Sequence, residues 1–274
     1  MWERKPADRI LAPMSTLRGE WALVLGASSG FGEATSLGLA REGMNIAGVH
    51  LDRKGTMPNV ERIQAEIRQA GCQEAFFNVN AADDANRAEV IAALKDKMGG
   101  KPVRALLHSL AFGTLRNFVS EDPAQALTKQ QLEMTLDVMA NSLVYWAQDL
   151  FRSKMLAKGS KVYAMTSAGG ARVWPSYGAV SAAKAALESH VRQLAVELAP
   201  FGVSVNAIRA GVTDTPSLRK IPGHEEMIKM ATERNPFRRL TTPQDVAKAI
   251  AAMVGGPEWL TGNVIGVDGG EFII

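Results

Sequence analysis

The sequence predicts one α/β domain built on a doubly wound parallel sheet of seven strands. Short apolar runs rich in Val, Ile and Leu alternate with longer segments of helical periodicity from residue 20 onwards. Such runs are typical of strands that helices cover on both faces. No linker of altered composition divides the chain, and a length of 274 residues suits one large α/β domain.

The predicted strands are the short runs in which polar and apolar residues alternate little. They occupy residues 21–25, 45–51, 74–79, 103–108, 161–166, 203–208 and 264–267. The predicted helices are the periodic segments, at residues 31–42, 60–70, 84–98, 128–157, 179–199 and 243–254. Thr242 followed by Pro243 is a typical start for the last helix. We expect an N-terminal arm at residues 1–18, the domain at 19–274, and a long excursion at 212–240.

Composition and charge argue against several classes of protein. The 31 basic and 28 acidic residues leave a net charge of +3, which is too small for the basic stripe of a nucleic-acid-binding protein. No apolar run reaches the roughly 20 residues that span a bilayer, and the N-terminus lacks the apolar core of a signal peptide. Cys72 is the single cysteine, which suits a reducing cytoplasm. The spacing of the histidines and Cys72 matches no metal site, so we expect a cytoplasmic protein without metal, membrane or nucleic-acid partners.

A glycine-rich turn follows the first predicted strand directly and opens the first helix. It consists of Gly26-Ala27-Ser28-Ser29-Gly30-Phe31-Gly32. Glycine permits a tight turn and a close approach of the backbone to a ligand, and free N–H groups at a helix N-terminus bind phosphate. The spacing G-x-x-x-G-x-G differs from the generic G-x-G-x-x-G fingerprint. Its position at the first strand–helix junction still favours a dinucleotide site over an ordinary turn.

The glycine-rich turn and two later segments resemble those of the short-chain dehydrogenase/reductase family. The later segments are 206–211, with the sequence Asn-Ala-Ile-Arg-Ala-Gly, and 261–270, which covers the last predicted strand. The resemblance covers residues 20–271 and implies a Rossmann-type fold with a nicotinamide dinucleotide cofactor. The implied cofactor contacts are Gly26, Ser28, Ser29, Gly30, Phe31 and Gly32 in the turn, Asn80 and Ala81 near adenine, Ser109, Leu110 and Ala111 near nicotinamide, and Gly211, Val212, Thr213 and Thr215 near the carboxamide and pyrophosphate.

The segment after the second predicted strand bears on the choice between NADPH and NADH. Many NAD-binding members of the family carry an acidic residue here for the adenine-ribose hydroxyls. This chain has His50 at about that position, followed by Asp52, Arg53 and Lys54. The two cations would pair with a 2′-phosphate, whereas Asp52 would oppose it or bind the hydroxyls of NADH. We expect NADPH, with NADH as the alternative.

Ser167, Tyr177 and Lys184 form the predicted catalytic group, and Lys184 is also an expected cofactor contact. In most family members the Tyr lies four residues before the Lys, but here Ser181 has that place and Tyr177 lies seven residues before Lys184. Seven residues are nearly two helical turns, so both side chains can point to one face of a helix. The Tyr-x6-Lys spacing resembles the enoyl-acyl-carrier-protein reductases within the family.

A second motif agrees with this assignment. Residues 108–112, with the sequence His-Ser-Leu-Ala-Phe, replace the usual Asn-Asn-Ala-Gly after the fourth strand and are similar to the enoyl reductase version. Ser167 stands where many enoyl reductases carry another Tyr, which resembles the type III subgroup and its preference for NADPH. Met139 takes the place of the helix Asn of ketone-reducing members, with Asn141 as the alternative two residues away. The loss of that Asn favours enoyl over carbonyl reduction.

These matches imply an NAD(P)H-dependent enoyl-acyl-carrier-protein reductase of fatty acid elongation. Hydride would pass to Cβ of a trans-2-enoyl thioester, and Tyr177 would hydrogen-bond the enolate oxygen. Lys184 would bind the nicotinamide ribose and lower the pKa of the phenol. Ser167 would either assist the contact to the carbonyl or only orient Tyr177. Two alternatives remain open. One is a carbonyl reductase of the same family that acts on a 3-oxoacyl thioester or another ketone, and the other is a dinucleotide-sensing binding protein without turnover.

Residues 216–240 carry six cations and three carboxylates. The family resemblance implies that this stretch covers the substrate, and its basic side would steer an acidic acyl-carrier protein. A CoA thioester is the other expected substrate form, and the resemblance also implies a homotetramer. The cations are Arg219, Lys220, Lys229, Arg234, Arg238 and Arg239, and the apolar residues expected at the acyl site are Leu218, Ile221, Met227 and Met230.

Overall fold

Seven parallel strands form one sheet in the order β3-β2-β1-β4-β5-β6-β7. The computed structural model describes residues 17–274, so the expected arm lies outside the described residues except for Leu17 and Arg18. The strand order runs outward in both directions from β1 and β4 and confirms the predicted doubly wound, Rossmann-type sheet. The strands are β1 Trp21–Leu25, β2 Asn45–His50, β3 Glu74–Asn78, β4 Val103–His108, β5 Lys161–Ser167, β6 Ser204–Ala210 and β7 Val264–Val267.

Eight α-helices cover the two faces of the sheet and the carboxyl ends of its strands within residues 17–274. Alternate residues of each central strand point to opposite faces, so Leu23 and Leu25 enter one apolar core and Ala22 and Val24 the other. Helices α3, α5 and α6 close the first core, and α1, α2 and α8 close the second. The helices are α1 Gly30–Arg41, α2 Met57–Gln69, α3 Asp84–Lys97, α4 Lys129–Leu136, α5 Ser142–Arg152, α6 Gly178–Leu198, α7 His224–Arg234 and α8 Pro243–Gly255.

The helix predicted at residues 128–157 is the largest departure from expectation. A π-helical turn at Asp137–Asn141 separates α4 from α5, and α5 ends at Arg152. At this end the N–H of Met155 donates to the carbonyl of Leu150 at 2.8 Å, and Lys154 takes the left-handed conformation with φ of 59°. This is the geometry of a Schellman cap, which glycine usually provides. A lysine gives no signal for it, so the predicted helix was too long.

Lys161, the first residue of β5, links the sheet to the end of α8. Its side chain is buried, and its ammonium donates to the carbonyls of Met253, Gly256 and Pro257 at 2.6, 2.8 and 3.1 Å. These carbonyls belong to the last turn of α8 and the residues that follow it, where helix carbonyls lack partners within the helix. The cation therefore caps α8 and joins it to the sheet.

The opposite, carboxyl end of the strands is open between β1 and β4, where the strand order reverses. Gly26 follows β1 and its N–H donates to the carbonyl of Val49 at 2.8 Å, while Ser109 follows β4 and donates to Leu25 at 2.9 Å. These bonds hold the two loops beside each other as they leave the sheet. In open α/β sheets ligands bind at this reversal point, so the candidate site is expected here.

Candidate active site

A cavity of about 410 Å³ lies at the carboxyl ends of the strands. It brings together Ser167 at the end of β5, Tyr177 before α6 and Lys184 within α6. Most of the residues expected to contact nicotinamide also line this cavity, so the fold brings together residues that are up to 184 positions apart in the chain. The sequence-predicted site residues that line the cavity are Phe31, Ser109, Leu110, Ala111, Ser167, Tyr177, Lys184, Gly211, Val212, Thr213 and Thr215.

Tyr177 lies at the N-cap of α6 rather than on the helix itself. Ser176 takes a left-handed conformation with φ of 61° and turns the chain directly before the helix begins. Tyr177 thus lies nearly two helical turns before Lys184, and both side chains line the same cavity. The phenol still reaches the cavity wall. Burial raises the pKa of Tyr177, and the neighbouring Ser167 hydroxyl acts in the opposite direction. The phenol is therefore a proton donor at neutral pH.

The Ser167 hydroxyl is buried in the cavity wall. It has no hydrogen bond of ordinary geometry to any group in the described part of the chain. A buried hydroxyl without a partner is costly, and this one lies beside the Tyr177 ring. The geometry is that of a hydroxyl available to a bound carbonyl or to Tyr177.

Lys184 is only 6% exposed. Its ammonium donates to the carbonyl of Met165 at 2.6 Å, and burial lowers the pKa of Lys184 to about 8, with the charge of Glu188 acting to raise it. At pH 7 the side chain therefore carries a positive charge inside the wall of the cavity. An ammonium has three N–H donors, so further acceptors can bind to it.

The glycine-rich turn borders the cavity and is packed too closely to hold side chains. A Cβ at Gly26 would lie 2.4 Å from the carbonyl oxygen of Ser109, and a Cβ at Gly32 would lie 2.0 Å from that of Gly26. Gly30 approaches the Thr215 side chain, at 3.5 Å from a Cβ position. The turn therefore presents bare backbone at the N-terminus of α1, which fits a pyrophosphate. Gly26, Ser28, Ser29, Gly30 and Gly32 lie outside the cavity walls themselves.

The region expected to hold adenosine lies beyond the glycine-rich turn. The Asp52 carboxylate lies 2.9 Å from Nδ1 of His50, and its backbone N–H donates to the Asn78 side chain at 2.9 Å. Although burial acts to raise it, hydrogen bonds from Thr56, Ser28 and His50 hold the pKa of Asp52 below its usual range. The carboxylate is therefore charged and lies next to Ser28 of the turn.

The other residues expected near adenosine stand apart from the cavity. Arg53 and Lys54 are exposed and form no ion pair with any described residue. Ala81 is buried, and its carbonyl accepts the indole N–H of Trp146 at 2.8 Å. The Asn80 side chain bonds the N–H two residues ahead, which fixes the turn after β3.

Met139 lies in the cavity wall, and Asn141 does not. The Asn141 side chain instead lies 3.1 Å from Nε2 of His190, a residue of α6. Both residues belong to the π-helical turn, which sets the direction of each side chain. Met139 therefore presents an apolar thioether to the cavity, whereas the Asn141 amide lies outside its walls.

Glu271 is a wall residue that the sequence analysis missed. Its side chain is buried, and its carboxylate accepts the N–H of Val212 at 3.0 Å. Burial raises the pKa of Glu271, while the bond from Val212 acts to lower it. The available signal was an acidic residue directly after Gly269-Gly270, a turn that returns the chain toward the site.

The segment 212–240 lies over the cavity, with α7 at its centre. Its apolar residues Leu218, Ile221, Met227 and Met230 line the wall, as expected. Two of the six cations form ion pairs, because Arg219 pairs with Asp214 at 2.8 Å and Arg239 pairs with Asp245 at 2.6 Å. Both partner carboxylates lie just outside residues 216–240, so this stretch is less basic than its own six cations and three carboxylates indicate. The cations that remain are Lys220, Lys229, Arg234 and Arg238.

The comparisons with known proteins agree with this site. A family model described as enoyl-(acyl carrier protein) reductase matches residues 26–271. The chain belongs to this reductase family. A 1-cyclohexenylcarbonyl-CoA reductase of Streptomyces collinus is 33% identical to this chain, and the match covers 94% of this chain and 88% of that protein. The enoyl-[acyl-carrier-protein] reductase [NADH] FabI of Escherichia coli is 29% identical over 94% and 95% of the two chains.

Solved structures show the same fold as the reductase. The crystal structure of an enoyl-[acyl-carrier-protein] reductase (NADH) from Aquifex aeolicus has a TM-score of 0.81 at 24% identity and covers 95% of this chain and 99% of that one. The family match and the curated relatives, together with this fold, identify the chain as an oxidoreductase of the short-chain dehydrogenase/reductase type. Among residues 17–274, no helix is long and apolar enough to span a membrane. No group of three or more His, Cys, Asp or Glu side chains in that range could hold a metal ion.

Proposed function

We propose that the reductase uses a reduced nicotinamide dinucleotide to reduce the trans-2 double bond of an enoyl thioester. The observation that carries this proposal is the placement of a phenol, a hydroxyl and a buried ammonium in one largely apolar cavity, with Met139 where an Asn would serve ketone reduction. The family match and the enoyl reductases among its relatives support the same chemistry.

The chain's own residues supply binding, polarisation and charge. When bound, the dinucleotide supplies the hydride. Tyr177 donates a hydrogen bond to the thioester oxygen, where negative charge develops as the enolate forms, and a donor held in place before the reaction stabilises that charge. Lys184 binds the ribose hydroxyls and keeps the local potential positive, and Ser167 bonds the same oxygen or orients the phenol. Glu271 holds the N–H of Val212 and so fixes the loop expected beside the carboxamide.

The contacts of Asp52 support NADH as the cofactor, rather than the NADPH expected from Arg53 and Lys54. A charged carboxylate beside Ser28 would repel a 2′-phosphate and accept hydrogen bonds from ribose hydroxyls. The two cations are directed to solvent and make no contact that would hold a phosphate. Relatives named as NADH enzymes agree with this choice.

The substrate is an acyl-carrier-protein or CoA thioester, with its acyl chain beneath the segment 212–240. Relatives of both kinds occur, one named for an acyl-CoA and others for acyl-carrier-protein thioesters. Arg234 and Lys220 lie at the cavity wall and are placed to bind phosphate groups of either carrier. A role in fatty acid biosynthesis, a cytoplasmic location and a homotetramer belong to this proposal.

The test measures NADH and NADPH oxidation with a trans-2-enoyl thioester beside an acetoacetyl thioester. We expect turnover of the enoyl substrate, and Tyr177→Phe should reduce kcat about 100-fold or more because it removes an oxyanion donor. Tyr145→Phe is the matched control, since Tyr145 bonds Asp137 at 3.0 Å outside the cavity. Faster turnover of the acetoacetyl thioester would favour a carbonyl reductase, and dinucleotide binding without turnover of either substrate would favour a sensing protein.

A further inference from the structure

His108 is a buried imidazole beside the site for which the mechanism above has no use. It ends β4 and is 0% exposed. Its Nε2 lies 2.8 Å from the Ser142 hydroxyl at the start of α5. Its Nδ1 is buried and has no hydrogen-bond partner in the described part of the chain. A buried ring nitrogen without a partner is unfavourable, so this atom requires an explanation.

The hydrogen bonds of Ser142 identify the tautomer of His108. The Ser142 hydroxyl has one proton and donates it to the carbonyl of Val138 at 2.8 Å, in the π-helical turn. It can then only accept from the imidazole, so Nε2 carries the ring proton and Nδ1 presents a lone pair. Burial, followed by the charge of Lys184, lowers the pKa of His108 to about 3. The ring is therefore neutral at working pH, with Nδ1 as an acceptor.

Lys184 is the nearby group that needs an acceptor. His108 lies opposite Ala164 on β5, one residue before Met165, whose carbonyl accepts one ammonium proton of Lys184. Two protons of the ammonium remain. The Glu188 carboxylate, the other charge that acts on Lys184, accepts the Thr166 hydroxyl at 2.7 Å. Met139, on the neighbouring wall, offers only a weak sulfur acceptor.

We propose that His108 is a positioning residue for Lys184, with its Nδ1 lone pair accepting a hydrogen bond from the ammonium through one bridging water molecule while Ser142 fixes the tautomer. This inference rests on the proposed role of Lys184. Met165 and His108 then hold the ammonium from two sides, and one proton stays directed to the cofactor ribose. The π-helical turn contributes by placing Val138 and Ser142 so that the ring cannot reverse its tautomer without losing a bond.

Two substitutions of His108 test the roles of Nδ1 and Nε2 separately. In His108→Asn the amide reaches the position of Nδ1, and in His108→Gln it reaches the position of Nε2 and can still bond Ser142. We expect His108→Gln to reduce kcat at least about tenfold, or about 1.4 kcal/mol in activation free energy, and His108→Asn to stay within about threefold of the wild type. The KM for enoyl thioester should change little in both variants. The opposite order, with Gln active and Asn impaired, would show that His108 only supports the packing of α5.

A second measurement does not depend on turnover. In ¹⁵N spectra of the full chain at neutral pH, we expect His108 to carry its proton on Nε2, and Lys184→Met to move the Nδ1 resonance while Nε2 stays in place. A proton on Nδ1, or an Nδ1 resonance that does not respond to Lys184→Met, would overturn the proposal. Absence of NADH oxidation by the wild-type protein with any thioester would instead overturn the proposed function, and the spectra would still decide the role of His108.

Discussion

Replacement of Gly32 by alanine should disable the cofactor site without unfolding the protein. The added Cβ would lie 2.0 Å from the carbonyl oxygen of Gly26, so this backbone must retreat by about 1 Å before the contact reaches even 3.0 Å. Gly26 and Gly32 lie at the two ends of the turn that we expect to present its N–H groups to pyrophosphate. A misplacement of about 1 Å in such a site costs on the order of 100-fold. We therefore expect the Kd for NADH to rise about 100-fold, which is about 2.7 kcal/mol.

The assay is titration of the protein with NADH, with thermal unfolding recorded for each variant. Gly38→Ala is the matched control, because Gly38 lies on the same helix and its Cβ would meet Ala247 at ordinary distances, 3.4 Å from the Cβ and 3.9 Å from the carbonyl oxygen. That variant should bind NADH as the wild type does and be as stable or more stable, since alanine favours the helix. Wild-type affinity in Gly32→Ala would refute the assignment of this turn to the dinucleotide.

Three further predictions concern pH, cofactor choice and stability. Burial lowers the pKa of Lys184 to about 8, so the ammonium is lost above that pH, and kcat should fall as pH rises through about 8; a flat profile up to pH 10 would contradict its role. Asp52→Ser should shift the ratio of kcat/KM toward NADPH by about tenfold or more, because a charge that repels the 2′-phosphate is removed; an unchanged ratio would place the ribose elsewhere. Lys161→Met removes the buried ammonium that bonds three partly buried carbonyls, so denaturant unfolding should show a loss of about 1–3 kcal/mol, with enoyl reduction unchanged because Lys161 lies at the far end of the sheet.

The sheet could be predicted from the sequence because each parallel strand is buried on both faces and stands out as a continuous apolar run. The observed strand ends lie within two residues of the predicted ones. Helix ends that depend on backbone conformation were harder to predict. Lys154 adopts the left-handed cap that would be expected of glycine, and the π-helical turn at Asp137–Asn141 leaves no mark in the hydrophobic periodicity.

Residues of the candidate site that belong to a sequence motif could be predicted. Residues that reach the site only because the chain folds back on itself were harder to predict. Tyr177 and Lys184 were found by their spacing, and the structure places both in one cavity. Glu271 was missed because its bond to Val212 joins residues that are 59 positions apart. The pairing of Arg239 with Asp245 also escaped the charge count, since a sum over a segment ignores carboxylates beyond its end.

The segment 212–240 has its two exposed ion pairs near its ends. Arg219 and Asp214 form a bidentate pair near its beginning, and Arg239 and Asp245 form another where it joins α8. Attraction between exposed charges weakens as dissolved ions accumulate, since the screening length is about 8 Å at physiological salt and about 3 Å at 1 M. High salt therefore weakens the two ion pairs, while kosmotropic salts strengthen the burial of the apolar residues on the cavity side of the segment. We therefore expect ionic strength to change how firmly the segment 212–240 is held over the cavity.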